Sequence, residues 1–315
     1  MLLIILMYAT WSSMFPLGKI ALTHSTPLFL TTFRMLLAGI ILLAFLFFKD
    51  RSSLKIGKKQ ILPLLALGIF SIYLTNVLEF WSLKYLSAAK VCFIYSLSPF
   101  FAALFSYLHF QEKMTLKKGL GMMIGFIGFI PVLKMQSGSE NLLTIFSFFS
   151  WPEIAMIGAA LFSIYGWTLL RVIVKNQTLS PLYANGYSML IGGMFALIHS
   201  VWIDTWDPTP VVSGHFSLFL SQVVLMTFIS NILCFNLYGY MLKKFTATFL
   251  SFVGLLSPIF ASINSWLLLG EKPSWVILLS TLILAIGLFI VYQAELKQGY
   301  IVKENQNRLK TKHLV

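Results

Sequence analysis

KYLSAAKVCFIYSLSPFFAALFSYLHFQEK, residues 84–113, and KKFTATFLSFVGLLSPIFASINSWLLLGEK, residues 243–272, are one segment written twice. Set against each other without a gap, they agree at Lys84, Ala88, Phe93, Leu97, Ser98, Pro99, Phe101, Ala102, Ser106, Leu108, Glu112 and Lys113. Shared apolarity accounts for some of these identities. It does not account for Leu-Ser-Pro followed at one fixed distance by Glu-Lys in both copies. The chain therefore carries an internal duplication at an offset of 159 residues.

Working outward from the two copies, the rest of the chain is a series of apolar runs. Of 315 residues, 58% are hydrophobic and only 10% charged, where a soluble domain carries about 25% charged residues. A bilayer core of about 30 Å needs about 20 apolar residues per helix. The runs predict ten spans at 2–22, 27–48, 61–83, 87–110, 116–134, 152–174, 182–203, 216–242, 246–269 and 274–293. They are too long and too continuously apolar for barrel strands, which alternate. The expected fold class is all-α, a polytopic membrane protein.

Each copy of the duplication lies in a half of five predicted helices, and an odd number inserts the second half upside down. The expected division is 1–134 for the first repeat, 135–151 for an external connection, 152–293 for the second repeat and 294–315 for a basic cytoplasmic tail. With both termini inside, seventeen of the 23 Lys and Arg fall on the inner side. Five fall outside (Lys19, Lys84, Lys90, Lys134 and Lys272) and Arg34 lies within a helix. That is the bias the positive-inside rule expects of a protein in a cytoplasmic, or inner, membrane. The net charge of +13 is thus read as orientation and contact with the lipid bilayer, not as nucleic-acid binding. Met1 runs directly into an apolar stretch with no basic leader, so a retained first helix is expected, not a cleaved signal peptide.

Inverted repeats are the architecture of secondary transporters, which hold their substrate near the midplane between the halves. In its motifs the chain resembles the EamA type of the drug/metabolite transporter superfamily over about residues 8–293. The marks are Trp11-Ser12-Ser13 with Gly18-Lys19, Phe33-Arg34, Leu97-Ser98-Pro99 with Glu112-Lys113, and Leu256-Ser257-Pro258 with Gly270-Glu271-Lys272. Gln111 departs from the pattern, which has Gly before Glu; the second copy keeps Gly270. The resemblance implies a transporter of a small-molecule metabolite working by alternating access. Family substrates include amino acids. Some members, in bacteria living inside host cells, exchange S-adenosylmethionine for S-adenosylhomocysteine, and the stretches 8–30 and 249–269 are similar to such members. An amino-acid or other metabolite exporter is the alternative within the superfamily.

The residues themselves supply candidates for the transport site. An ionisable group inside a membrane is costly and is a functional candidate by default. Arg34 and Glu79 are such groups: they are a structural pair, two interfacial residues, or part of a substrate site in which Arg34 holds Glu79 ionised or takes a carboxylate. Asn76 and Tyr73 share a helical face with Glu79, as Cys234 and Tyr238 do with Asn231, and Ser163 and Arg171 with Trp167. Trp11 and Tyr95 fall at mid-depth, away from the interfacial belts that explain most membrane aromatics. The candidate substrate-binding set is Trp11, Arg34, Asn76, Glu79, Tyr95, Trp167, Asn231 and Tyr238, each lining a cavity or packing helices. Aromatics beside one carboxylate suit a small zwitterion or a planar cation. Pro99 and Pro258 are expected to kink their helices. Gly121, Gly125 and Gly128 form a small-residue face for packing within the protomer or for a homodimer.

Cys92 and Cys234 read as small buried hydrophobes. No cofactor or metal is expected, since no nucleotide loop, paired-His motif or nucleophile elbow is present. An intramembrane enzyme or a scaffold without transport is the competing class. It would need a nucleophilic or charged constellation at one depth, which Arg34 and Glu79 alone do not supply.

Overall fold

The computed structural model describes residues 2–49, 56–86, 91, 94, 95, 98–111, 113–136, 150–176, 179–257, 259–261, 263, 264 and 275–299. Among these the chain is helical, with one isolated bridge, Ser25 to Val211, joining two loops. In chain order the helices are α1 (Leu2–Trp11), α2 (Met14–Leu22), α3 (Pro27–Lys49), α4 (Lys58–Leu67), α5 (Thr75–Tyr85), α6 (Ser98–Phe110) and α7 (Leu116–Gln136). They continue with α8 (Trp151–Asn176), α9 (Pro181–Ile203), α10 (Phe216–Met226), α11 (Phe235–Met241), α12 (Ala247–Val253) and α13 (Trp275–Lys297). Six continuous stretches among the described residues are long and apolar enough to cross a membrane: Leu2–Leu22, Pro27–Lys49, Lys58–Tyr85, Trp151–Val174, Pro181–Ile203 and Phe216–Met241. Large apolar side chains such as Phe48, Leu62 and Trp202 point outward, which suits a lipid surface and not water.

Two of these stretches are not α-helical throughout. Gly68–Leu74 joins α4 to α5, and Thr227–Cys234 joins α10 to α11, each as a π-helix. Their first residues, Gly68 and Thr227, stand 159 positions apart, the offset of the sequence duplication. A π turn widens the helix and shifts the side chains that follow it, and such turns concentrate at functional sites. After each one an asparagine braces the wide turn. The Asn76 amide donates to the Ile72 carbonyl at 2.8 Å, and the Asn236 amide to the Ile232 carbonyl at 2.8 Å.

Close packing explains several of the sequence marks. A Cβ at Gly287 would lie 2.7 Å from the Gly121 carbonyl oxygen and 2.8 Å from the Gly125 nitrogen. Gly121 and Gly125 thus seat α13 against α7 within one chain, and this face is used internally. Lys19 donates to the carbonyls of Leu83 and Leu86 at 2.9 and 2.8 Å, closing the C-terminal end of α5, where free carbonyls carry negative charge. Pro99 has no N–H to give the carbonyl of Tyr95, four residues back. The hydroxyl of Ser98 donates to that carbonyl instead, a local reason for serine before proline inside a membrane. Pro99 lies in the described stretch Ser98–Phe110; Pro258 lies outside the described residues.

Gln111 follows α6 with φ at +53° and donates its N–H to the Tyr107 carbonyl at 2.9 Å. This is the left-handed helix end that favours glycine, so the departure from the family pattern falls where glycine has a steric purpose.

Two expectations are corrected. The last helix continues through Lys297 and buries Glu295, so residues 294–297 belong to the packed helix and not to the tail. Lys118, one of the seventeen inner-side basic residues read above as orientation and contact with the bilayer, is instead buried and paired with Glu295. The connection 137–149 and residues 300–315 lie outside the described residues.

Candidate functional site

A cavity lies between the N-terminal helices and α5, α8, α11 and α12. Its free space is about 1070 Å³, counting solvent space at the open mouth. One wall is aromatic. Trp167 and Tyr238 lie 4.3 Å apart by ring centroids, and Trp11 packs edge-on to both, at 5.8 and 6.0 Å. Phe235 closes the group at 4.8 Å from Trp167. Tyr8 stacks on Trp11 and is fixed by a hydrogen bond to the Leu250 carbonyl at 2.8 Å.

The other wall is polar. It carries Arg34, Ser71, Thr75, Asn76, Glu79, Tyr95 and Ser98. Ser71 and Thr75 come from the first π turn and its end, and the Thr75 hydroxyl donates to the Phe70 carbonyl at 2.8 Å. Tyr95 donates to the Ser163 hydroxyl at 2.8 Å across the cavity lining. Among the lining residues, Arg34 and Glu79 are the charged pair. Glu79 is half-buried. Arg34 is 3% exposed, donates to Asn231 Oδ1 at 3.1 Å and lies over the Phe80 ring at 5.1 Å. No ion pair within 4.0 Å joins the two charges among the described residues.

Of the eight candidate residues, Trp11, Arg34, Asn76, Glu79, Tyr95, Trp167 and Tyr238 meet around this one space. Asn231 does not line it. It sits behind Arg34, fully buried. The expected face of Asn231, Cys234 and Tyr238 assumes α-helical register, and the π turn over Thr227–Cys234 breaks it, bringing Ser230 to the cavity instead. Tyr73 is likewise turned away from Glu79 and bonds His199 at 2.9 Å. Sequence reasoning missed Tyr8, Ser12, Ser71, Ser230, Ser251 and Ser257 as lining residues. The signal that finds several of them is the duplication. The lining pairs Tyr8 and Trp167, Ser71 and Ser230, Asn76 and Phe235, Glu79 and Tyr238, Tyr95 and Gly254, and Ser98 and Ser257 all stand 159 residues apart.

Long apolar helices gathered around a polar-and-aromatic cavity are the build of a helical membrane protein. Residues 1–133 and 150–293 each match the EamA-like transporter family, and the chain belongs to that family. It is 39% identical over 297 residues to the S-adenosylmethionine/S-adenosylhomocysteine transporter of Chlamydia muridarum (strain MoPn / Nigg), covering 93% of this chain and 91% of that protein. It is 40% identical over 293 residues to the protein of the same name in Chlamydia trachomatis serovar D (strain ATCC VR-885 / DSM 19411 / UW-3/Cx), covering 93% and 88%. A solved crystal structure shares the fold at a TM-score of 0.70 and 16% identity, covering 92% of this chain and 95% of that one.

Proposed function

We propose that this protein exchanges S-adenosylmethionine for S-adenosylhomocysteine across the inner membrane as a secondary transporter. In this reading ten spans form two inverted five-helix repeats, both termini are cytoplasmic, and the cavity is exposed to each side in turn. The carrying observation is the cavity's chemistry in a chain about 40% identical to transporters of that name. S-adenosylmethionine presents a planar base, a sulfonium, an amine and a carboxylate. The aromatic wall suits the base and the sulfonium, since a cation over an aromatic face gains about 0.5–2 kcal/mol. Glu79 supplies a counter-charge where water is scarce.

The inverted repeat is supported by two features beyond sequence identity. The π turns begin at one register, Gly68 and Thr227, and six pairs of cavity residues share the same offset. Two copies of one half facing each other would place equivalent side chains around a shared site, as alternating access between repeats requires. The pairing of Glu79 with Tyr238 keeps the acidic group on one half only, so the ligand has a defined orientation. No enzymatic step is part of the proposal.

Purified full-length protein in proteoliposomes tests it. Lumenal S-adenosylhomocysteine is expected to accelerate uptake of radiolabelled S-adenosylmethionine, with saturable kinetics and without ATP. Trans-stimulation by amino acids, with none by S-adenosylhomocysteine, would overturn the substrate. Linear, unsaturable flux would overturn the carrier mechanism.

A further inference from the structure

We infer that Arg34 is the subsite for the substrate's carboxylate and that Asn231 is its positioning residue, held in place by a relay of buried asparagines. The inference rests on the cavity being the substrate site, as proposed above.

The guanidinium has five N–H donors in a planar fork suited to a carboxylate. One is given to Asn231 Oδ1 at 3.1 Å, and Nε is buried with no partner among the described residues. Arg34 nevertheless lines the cavity. A buried cation with unused donors beside an open cavity is a site for an anion, because leaving it unmatched is costly. Glu79 lines the same cavity without closing an ion pair to Arg34. The two charges therefore stand available to a ligand that carries both an ammonium and a carboxylate.

Asn231 suits a positioning role because it is neutral. An aspartate there would fix the guanidinium but cancel its charge; an amide oxygen fixes it and leaves the charge for the ligand. Asn231 is itself fixed. Its amide donates to Met35 Sδ at 3.1 Å, and it rides on the second π turn. That turn is braced by Asn236, whose amide donates to the carbonyls of Ile232 at 2.8 Å and Asn231 at 3.3 Å. Asn185 on α9 then donates to Asn236 Oδ1 at 3.0 Å. The three asparagines are at most 6% exposed. In an apolar surrounding each such amide persists only because it is hydrogen-bonded. The relay links α9, the π turn and α11 to Arg34.

The test is equilibrium binding to full-length protein in lipid nanodiscs, comparing S-adenosylmethionine with its decarboxylated analogue, which keeps the base, sulfonium and amine. For Asn231→Ala the affinity for S-adenosylmethionine is expected to fall about ten- to a hundred-fold, the loss of a charge-assisted interaction. Affinity for the decarboxylated analogue should stay within about twofold, a change worth only a few tenths of a kcal/mol. A purely structural role would weaken both ligands alike, and that result, or no change in either, overturns the inference. Asn236→Ala, one link further back, should show the same selectivity at smaller size. It carries the test, with Asn231→Ser, where Asn231→Ala does not fold. If the unaltered protein binds neither ligand, the substrate proposal fails separately. The subsite is then read with methionine against 3-(methylthio)propylamine, with the same selective loss expected and equal losses overturning it.

Discussion

Lys118 Nζ and Glu295 Oε1 lie 2.6 Å apart, with both side chains almost wholly removed from the surface, and Thr246 donates to the second Glu295 oxygen at 2.5 Å. Thr246 also caps α12, accepting from the Phe249 N–H at 2.9 Å. One buried charge pair thereby ties α7, α13 and the start of α12 together. Removing one partner takes the near counter-charge from a buried charge, which costs about 3–5 kcal/mol, whereas replacing both by apolar groups is often nearly neutral. Lys118→Met and Glu295→Leu are each expected to lower the thermal stability of the detergent-solubilised protein strongly. The double variant should recover most of that loss.

Glu79→Gln keeps the size of the side chain and removes its charge. Losing one charge-assisted hydrogen bond should weaken S-adenosylmethionine binding by about 1.5–3 kcal/mol, with unchanged elution on gel filtration. Because Glu79 forms no ion pair with Arg34 within 4.0 Å among the described residues, stability should be little affected. Unaltered affinity in a well-folded variant would remove Glu79 from the site.

The aromatic wall separates the two exchanged molecules. S-adenosylhomocysteine lacks the sulfonium charge, so only S-adenosylmethionine gains the attraction of a sulfonium to the aromatic faces, about 0.5–2 kcal/mol. Trp167→Leu, in contact with Tyr238 at 4.3 Å, is expected to weaken S-adenosylmethionine more than S-adenosylhomocysteine. Competition binding of the two ligands to one preparation checks the ratio.

Gln111 adopts a φ of +53°. The left-handed conformation costs a residue with a Cβ roughly 1–2 kcal/mol, against about 0.5–1 kcal/mol for the added freedom of glycine in the unfolded chain. Gln111→Gly is therefore expected to be stabilising by up to about 1.5 kcal/mol, the difference of those two terms. A thermal melt of the purified protein measures it, and a clear loss would contradict the geometry.

Topology is open to a direct measurement. With both ends inside, a reporter active only in the cytoplasm is expected to work when fused after Val315 and to be silent when placed within 204–215. The opposite pattern would overturn the assigned orientation.

The apolar runs and the duplication were legible without coordinates, because each span must present about 20 apolar residues whatever its neighbours and a repeated motif is visible as letters. Composition likewise singled out Arg34 and Glu79, since charges within such runs are rare. Which side of a helix meets the cavity was a different matter. Nothing in Gly68–Leu74 or Thr227–Cys234 announces a π turn, because it is fixed by packing against other helices and not by local propensity. Those turns send Tyr73 to His199 and Asn231 behind Arg34, and bring Ser71 and Ser230 to the cavity. Lys118 and Glu295 are 177 residues apart in sequence, so their pairing exists only once α7 and α13 pack. The membrane class, the repeat and the charges in the apolar core are therefore readable as letters. Helix packing then sets the partners of those charges, bringing Lys118 against Glu295 while Arg34 and Glu79 line one cavity without a contact ion pair.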